Sequence, residues 1–85
     1  MYIHIGEDIN IRARDIISIL DKESANNSPL VEEFISQRKE KVINLSKNPF
    51  KSVIITYDNV YLSPISSGTL KKRSTQMHFA LTDHR

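Results

Sequence analysis

Apolar and polar residues alternate from the start of the chain: Ile3 and Ile5 fall on one side, Tyr2 and His4 on the other. A period of two predicts a strand with one buried face. Gly6-Glu7-Asp8 then reads as a turn, because glycine tolerates positive φ and aspartate bonds local backbone. Ile9 and Ile11 alternate with Asn10 and Arg12, so the chain returns as a second strand. Asp15 to Leu20 is β-branched and apolar on both sides, which favours a third strand buried on both faces over a single helical turn. Asp21 to Ser28 is polar, includes Asn26-Asn27, and reads as a loop.

The period then changes. Leu30, Val31, Phe34, Ile35, Arg38 and Val42 share one face at helical spacing. Ser28 is the expected cap, and Pro29 falls at the first helical position, where a missing N–H costs nothing. Glu32 and Glu33 near the start, and Arg38, Lys39 and Lys41 near the end, complement the helix dipole. Asn44 to Phe50 reads as a linker. Ser52 to Tyr57 follows as a strong strand, with Val53, Ile55 and Tyr57 on one face. Asp58-Asn59 is expected as a two-residue hairpin turn, since both types accept left-handed backbone angles.

The return strand is Val60 to Ser63, ended by Pro64, which lacks an N–H. Ser66 or Ser67 can cap a second helix from Gly68 to about Gln76. Met77 to Leu81 alternates weakly, and Thr82 to Arg85 reads as a frayed end. The order β-β-β-α-β-β-α predicts an α+β fold: about five short strands in small antiparallel sheets, with two helices. Residues 1–77 are expected to form a single domain, and residues 78–85 a C-terminal tail.

Composition adds a constraint on stability. The chain has 85 residues, 39% of them hydrophobic and 26% charged, as in an ordinary globular domain. A domain this small buries only about 60% of the surface its unfolded chain exposes. With no cysteine, neither a disulfide nor a thiolate metal site can staple it. A tightly packed small core or burial against further copies must supply the rest, so a homo-oligomer is expected. The lack of cysteine, of a signal-peptide pattern and of any long apolar run places the expected compartment in the cytoplasm, with no membrane partner.

The net charge of +2 conceals an uneven distribution. Residues 1–33 hold seven acids and three bases, whereas residues 34–85 hold nine bases and three acids. Such a split suits an anionic partner or head-to-tail self-association, although mixed charge also simply solvates a small surface. Catalytic patterns are scarce. His4, His78 and His84 lack metal-ligand spacing, and two glycines build no phosphate-cradling loop. Glu7-Asp8 reads as a solvated turn and Glu32-Glu33 as a dipole complement. No serine has a visible base and orienting acid. The expectation is therefore no enzyme, no catalytic residue, no metal, no cofactor and no small-molecule substrate.

The basic positions carry more information. Lys47 and Lys51 flank Asn48-Pro49-Phe50 before the central strand, and Lys71, Lys72 and Arg73 lie early in the last helix. Lysines in such places suit phosphate contact better than base reading, because an ammonium is a point charge without arginine's planar fork. A solvated helix face is the plainer reading of the same charges. Phe50 is either a core anchor or an exposed stacking residue, with the core favoured.

Beyond single motifs, a set of segments resembles the small Rem family of bacterial extracellular matrix regulators. These segments are Met1 to Gly6, Arg14 to Ile19, Ser28 to Phe34, Lys51 to Thr56, Tyr61 to Ser67 and Thr69 to Arg73, within about residues 1–75. The resemblance implies a cytoplasmic DNA-binding transcription regulator of matrix and biofilm genes that uses no helix-turn-helix. It also implies closed rings of identical subunits that meet double-stranded DNA through basic residues on the rim. Eight bases between residues 37 and 73, less Glu40 and Asp58, leave +6 per subunit to repeat around such a ring. The family's A branch carries an arginine-rich loop where this chain has Lys47-Asn48-Pro49-Phe50-Lys51. Lysine keeps the charge there and loses the bidentate grip. Lys47 and Lys51 are expected DNA contacts by position, and Lys71, Lys72 and Arg73 by their own clustering. The alternative is a protein that binds no DNA and modulates a related regulator.

Overall fold

The computed structural model describes residues 2–47 and 49–82, the last eight of these by backbone alone. The first hairpin is as expected: β1 (Tyr2–Gly6) pairs antiparallel with β2 (Ile9–Arg12), placing Ile3 opposite Ile11. Its turn is tight, with Gly6 at φ 143° and Glu7 at φ 47°. Asp15 closes a 3-10 turn, and β3 (Ile16–Asp21) follows.

Strand β3 is not buried on both faces. Its register against the next strand shifts between Ile16 and Ser18, and this irregularity leaves Ile17 54% exposed. The stretch expected as a loop is in part a short helix, α1 (Lys22–Asn26). The Asp21 carboxylate accepts the Ser24 N–H at 2.7 Å and so caps that helix. Only Ala25 of α1 is buried, so no apolar period announced it.

Helix α2 (Pro29–Gln37) begins as the cap chemistry requires, with Ser28 Oγ accepting the Val31 N–H. It packs through Val31, Phe34 and Ile35, while Leu30, expected on the same face, is 79% exposed. It also stops earlier than the periodicity suggests. After Arg38 and a 3-10 turn, Val42 opens a strand, β4 (Val42–Asn44), where a helix end and a linker were expected. That strand lies parallel to β6 (Val60–Ser63), pairing Val42 with Val60 and Asn44 with Leu62. The partner that makes it a strand is distant in sequence, and a local pattern cannot reveal it.

Strand β5 (Ser52–Thr56) is central in the order β3-β5-β6-β4, and every residue in it is buried. Val53 and Ile55 pack with Ala25, Phe34 and Ile35 beneath α1 and α2. Ile54 points the other way, into Ile3, Ile5, Ile11 and Leu70. The sheet is thus covered on both faces, by the two helices on one and by the β1–β2 hairpin with α3 (Ser67–Thr82) on the other. Two buried serines join the layers: Ser52 Oγ donates to the Ile65 carbonyl at 2.6 Å, and Ser63 Oγ to the Ile5 carbonyl at 2.5 Å.

The β5–β6 turn differs from the expected form. Tyr57 lies outside the strand and is 67% exposed. Thr56 closes a three-residue loop instead: its N–H donates to the Asn59 carbonyl, and its hydroxyl accepts the Asn59 N–H. Side-chain bonding replaces left-handed backbone at Asp58 and Asn59, neither of which has positive φ. Ser66 caps α3, accepting the Thr69 N–H. Helix α3 continues past Gln76 through Met77–Leu81 to Thr82; the expected frayed residues after Thr82 lie outside the described residues. The α+β class holds, with six strands, three α-helices and one parallel pair among the described residues. No helix among them is long and apolar enough to cross a membrane.

Candidate nucleic-acid interface

One end of the central sheet gathers several starts and stops. Strand β3 finishes there at Asp21, which pairs with Ser52 at the start of β5, and Ser52 pairs with Ser63 at the end of β6. Strands β3, β5 and β6 run in alternating directions, so this end collects the entrances to α1, β5 and α3. Basic residues sit at each of these entrances. The Lys22 N–H donates to the Lys51 carbonyl at 3.0 Å, and the Lys51 N–H to the Ser63 carbonyl at 2.8 Å. Both side chains are exposed.

Lys71 on the first turns of α3 lies close enough to Asp21 to act on its carboxylate. Asp21 is held below the usual carboxylate range, first by hydrogen bonds from Ser24 and then by the charge of Lys71. The result is a lysine group, Lys22, Lys51 and Lys71, with one carboxylate already committed to capping. Lys72 follows on the exposed side of α3. Lys47 is exposed on the loop that leaves β4, anchored where the Leu45 N–H donates to the Leu62 carbonyl. Phe50 is half-buried against the α1–α2 side of the core, as favoured from the sequence, and the Lys22 ammonium stands 5.3 Å above its ring.

Arg73 is placed differently from the lysines. It is half-buried, and its guanidinium donates to the His4 carbonyl at 2.8 Å, tying α3 to β1. Lys22 is the residue that sequence reasoning missed. It sits in the acid-rich third of the chain, and only its place directly after the strand end and cap at Asp21 would have flagged it. The opposite end of the sheet is mixed in charge: Tyr2, Arg12, Asp15 and Asp58 line a smaller polar cleft. There the hydrogen bond and charge of Tyr2, then the charge of Asp15, hold the Arg12 guanidinium more firmly protonated than usual. Among the described residues no group of three His, Cys, Asp or Glu side chains could hold a metal ion.

This lysine-lined end of the sheet offers point charges to an anion. Residues 2–73, which include every element up to the first turns of α3, match the RemA-like family, described as extracellular matrix regulatory protein A-like. The chain is also 48% identical over 77 residues to extracellular matrix regulatory protein B of Bacillus subtilis (strain 168), covering 91% of this chain and 94% of that protein. With the family match spanning most of the sequence, the chain belongs to the RemA-like family of extracellular matrix regulatory proteins.

Proposed function

We propose that this protein is a cytoplasmic DNA-binding transcription regulator of extracellular matrix and biofilm genes. Residues 1–77 act as one domain that contacts the DNA backbone without a helix-turn-helix. The observation that carries the reading is the convergence of Lys22, Lys51 and Lys71 at one end of the sheet. Lys47, on the loop after β4, and Lys72, on α3, are exposed as well and are assigned to the same DNA contact. Family membership supports a regulator over an enzyme. One such patch is weak. Repeated around a homo-oligomeric ring it becomes a phosphate track whose affinity falls steeply with salt. Backbone contacts of this kind hold bent DNA with little base reading.

The test is an electrophoretic shift with long duplex DNA at low and high salt, alongside light scattering. The expected result is an assembly well above the 9.8 kDa monomer that binds duplex DNA and releases it as salt rises. Combined Lys51→Glu and Lys72→Glu changes should abolish binding while the assembly persists, since both side chains are exposed. Unchanged affinity in an intact assembly would remove this surface from the mechanism. The loop's lysines, standing where the family's A branch has arginines, would then favour a partner that modulates a related regulator.

A further inference from the structure

The core is not closed beneath the two short helices. A cavity of about 430 Å³ opens between α1, α2 and the sheet, bounded by Ala25, Ile35, Phe50, Val53 and Leu62, with Glu32 among its polar walls. Its size falls within the roughly 300–1,000 Å³ of small-molecule sites, which are mostly apolar with a few polar groups that fix orientation. The opening has a structural origin. Helix α1 offers the core only the methyl of Ala25, and α2 has no fully buried residue. Close packing normally removes a void of this size.

We propose that this cavity binds a small cationic amphiphile. Its hydrocarbon part lies against Val53, Leu62 and Phe50, and its ammonium group meets the Glu32 carboxylate. The side-chain oxygen of Asn26, also in the wall, offers a second acceptor for an ammonium hydrogen. An anionic head at the mouth would instead face the exposed Glu32 carboxylate, which like-charge repulsion disfavours. Phe50 links the site to its surroundings: one part of the ring lines the cavity, and Lys22 stands over the ring. The site itself does not depend on the DNA reading.

Octylammonium, octanol and octanoate, each below its micelle concentration, would be titrated into the isotope-labelled full chain and followed by NMR. The expected result is saturable shifts confined to Ala25, Ile35, Val53, Leu62 and the Phe50 ring. Octylammonium should bind about tenfold tighter than octanoate, equivalent to about 1.4 kcal/mol. The surface change Glu32→Gln should erase that preference and leave octanol binding intact. Equal binding of octanoate and octylammonium, or an octylammonium affinity indifferent to Glu32→Gln, would overturn the assignment. So would cavity signals that follow protein concentration rather than ligand, because a second copy would then fill the space.

Discussion

Arg73 on α3 donates a hydrogen bond to the backbone carbonyl of His4 on β1, closing the two ends of the described core onto each other. The same residue ends a run of three bases, Lys71, Lys72 and Arg73, that looks uniform in sequence. The fold divides the run: the lysines are exposed, and the arginine is half-buried in a layer contact. Arg73→Gln should therefore lower the melting temperature, at a cost of about 1 kcal/mol. Lys72→Gln should leave it within error. Paired thermal melts decide this, and equal melting of both variants would deny Arg73 its anchoring role.

Burial makes a sharp contrast between Ile54 and Leu30. Ile54 is fully buried at the centre of the sheet, and Leu30 is 79% exposed. Ile54→Ala should cost about 2–5 kcal/mol, a large share of the stability of so small a domain. Leu30→Ala should cost almost nothing. Ile55→Asp should prevent folding, since an unpaired carboxylate would enter the α1–α2 side of the core. Urea titrations would measure the first two, and circular dichroism the third.

Lys22 should behave as a phosphate contact although it lies in the acid-rich third of the chain. Lys22→Gln should weaken binding to all duplex sequences alike and reduce the salt slope by about 0.9 for each bound subunit. Arg14→Gln, a change to an exposed base outside this group, is the control. A salt slope that Lys22→Gln leaves at the parent value would exclude Lys22 from the interface.

Gly6 is the backbone position with least tolerance. Its φ of 143° suits glycine, and an added Cβ would stand 2.9 Å from Cδ of Pro64. Gly6→Ala therefore meets both strain and a clash, with an expected loss of about 1–3 kcal/mol. Gly68→Ala, where a Cβ meets open space in the first turn of α3, should stabilise slightly. The two variants should move the melting temperature in opposite directions.

Acid should loosen α1 first. The folded-state pKa of Asp21 is depressed, so its contribution is fully present above the unfolded carboxylate value. That contribution is lost as pH falls through the lower folded value, when the protonated carboxyl no longer caps Ser24 strongly. Asp21→Asn keeps a capping oxygen and removes the titration, so its stability profile should be flatter in this acid range. Amide shifts of Ser24 against pH would show the effect, and a parent profile matching that of the variant would refute it.

Much of this fold is written locally. The alternation of Ile3 and Ile5, the glycine turn after them and the Ser28-Pro29 start of α2 need only neighbours a few residues away. So does the β5–β6 hairpin, although its turn closes through the Thr56 hydroxyl rather than left-handed backbone. Lys47, Lys51, Lys71 and Lys72 were legible as charge, whereas Lys22 was not. Their grouping was not, because it depends on where three strand ends meet. Tertiary structure alone decided that Val42–Asn44 pairs with β6 instead of extending α2. It also decided that Lys22 stands beside Lys51, and that Arg73 turns toward His4. Each outcome is a hydrogen bond between segments far apart in the chain. Periodicity reports which face of an element is apolar, and it holds no information on which distant backbone group completes that element's bonding.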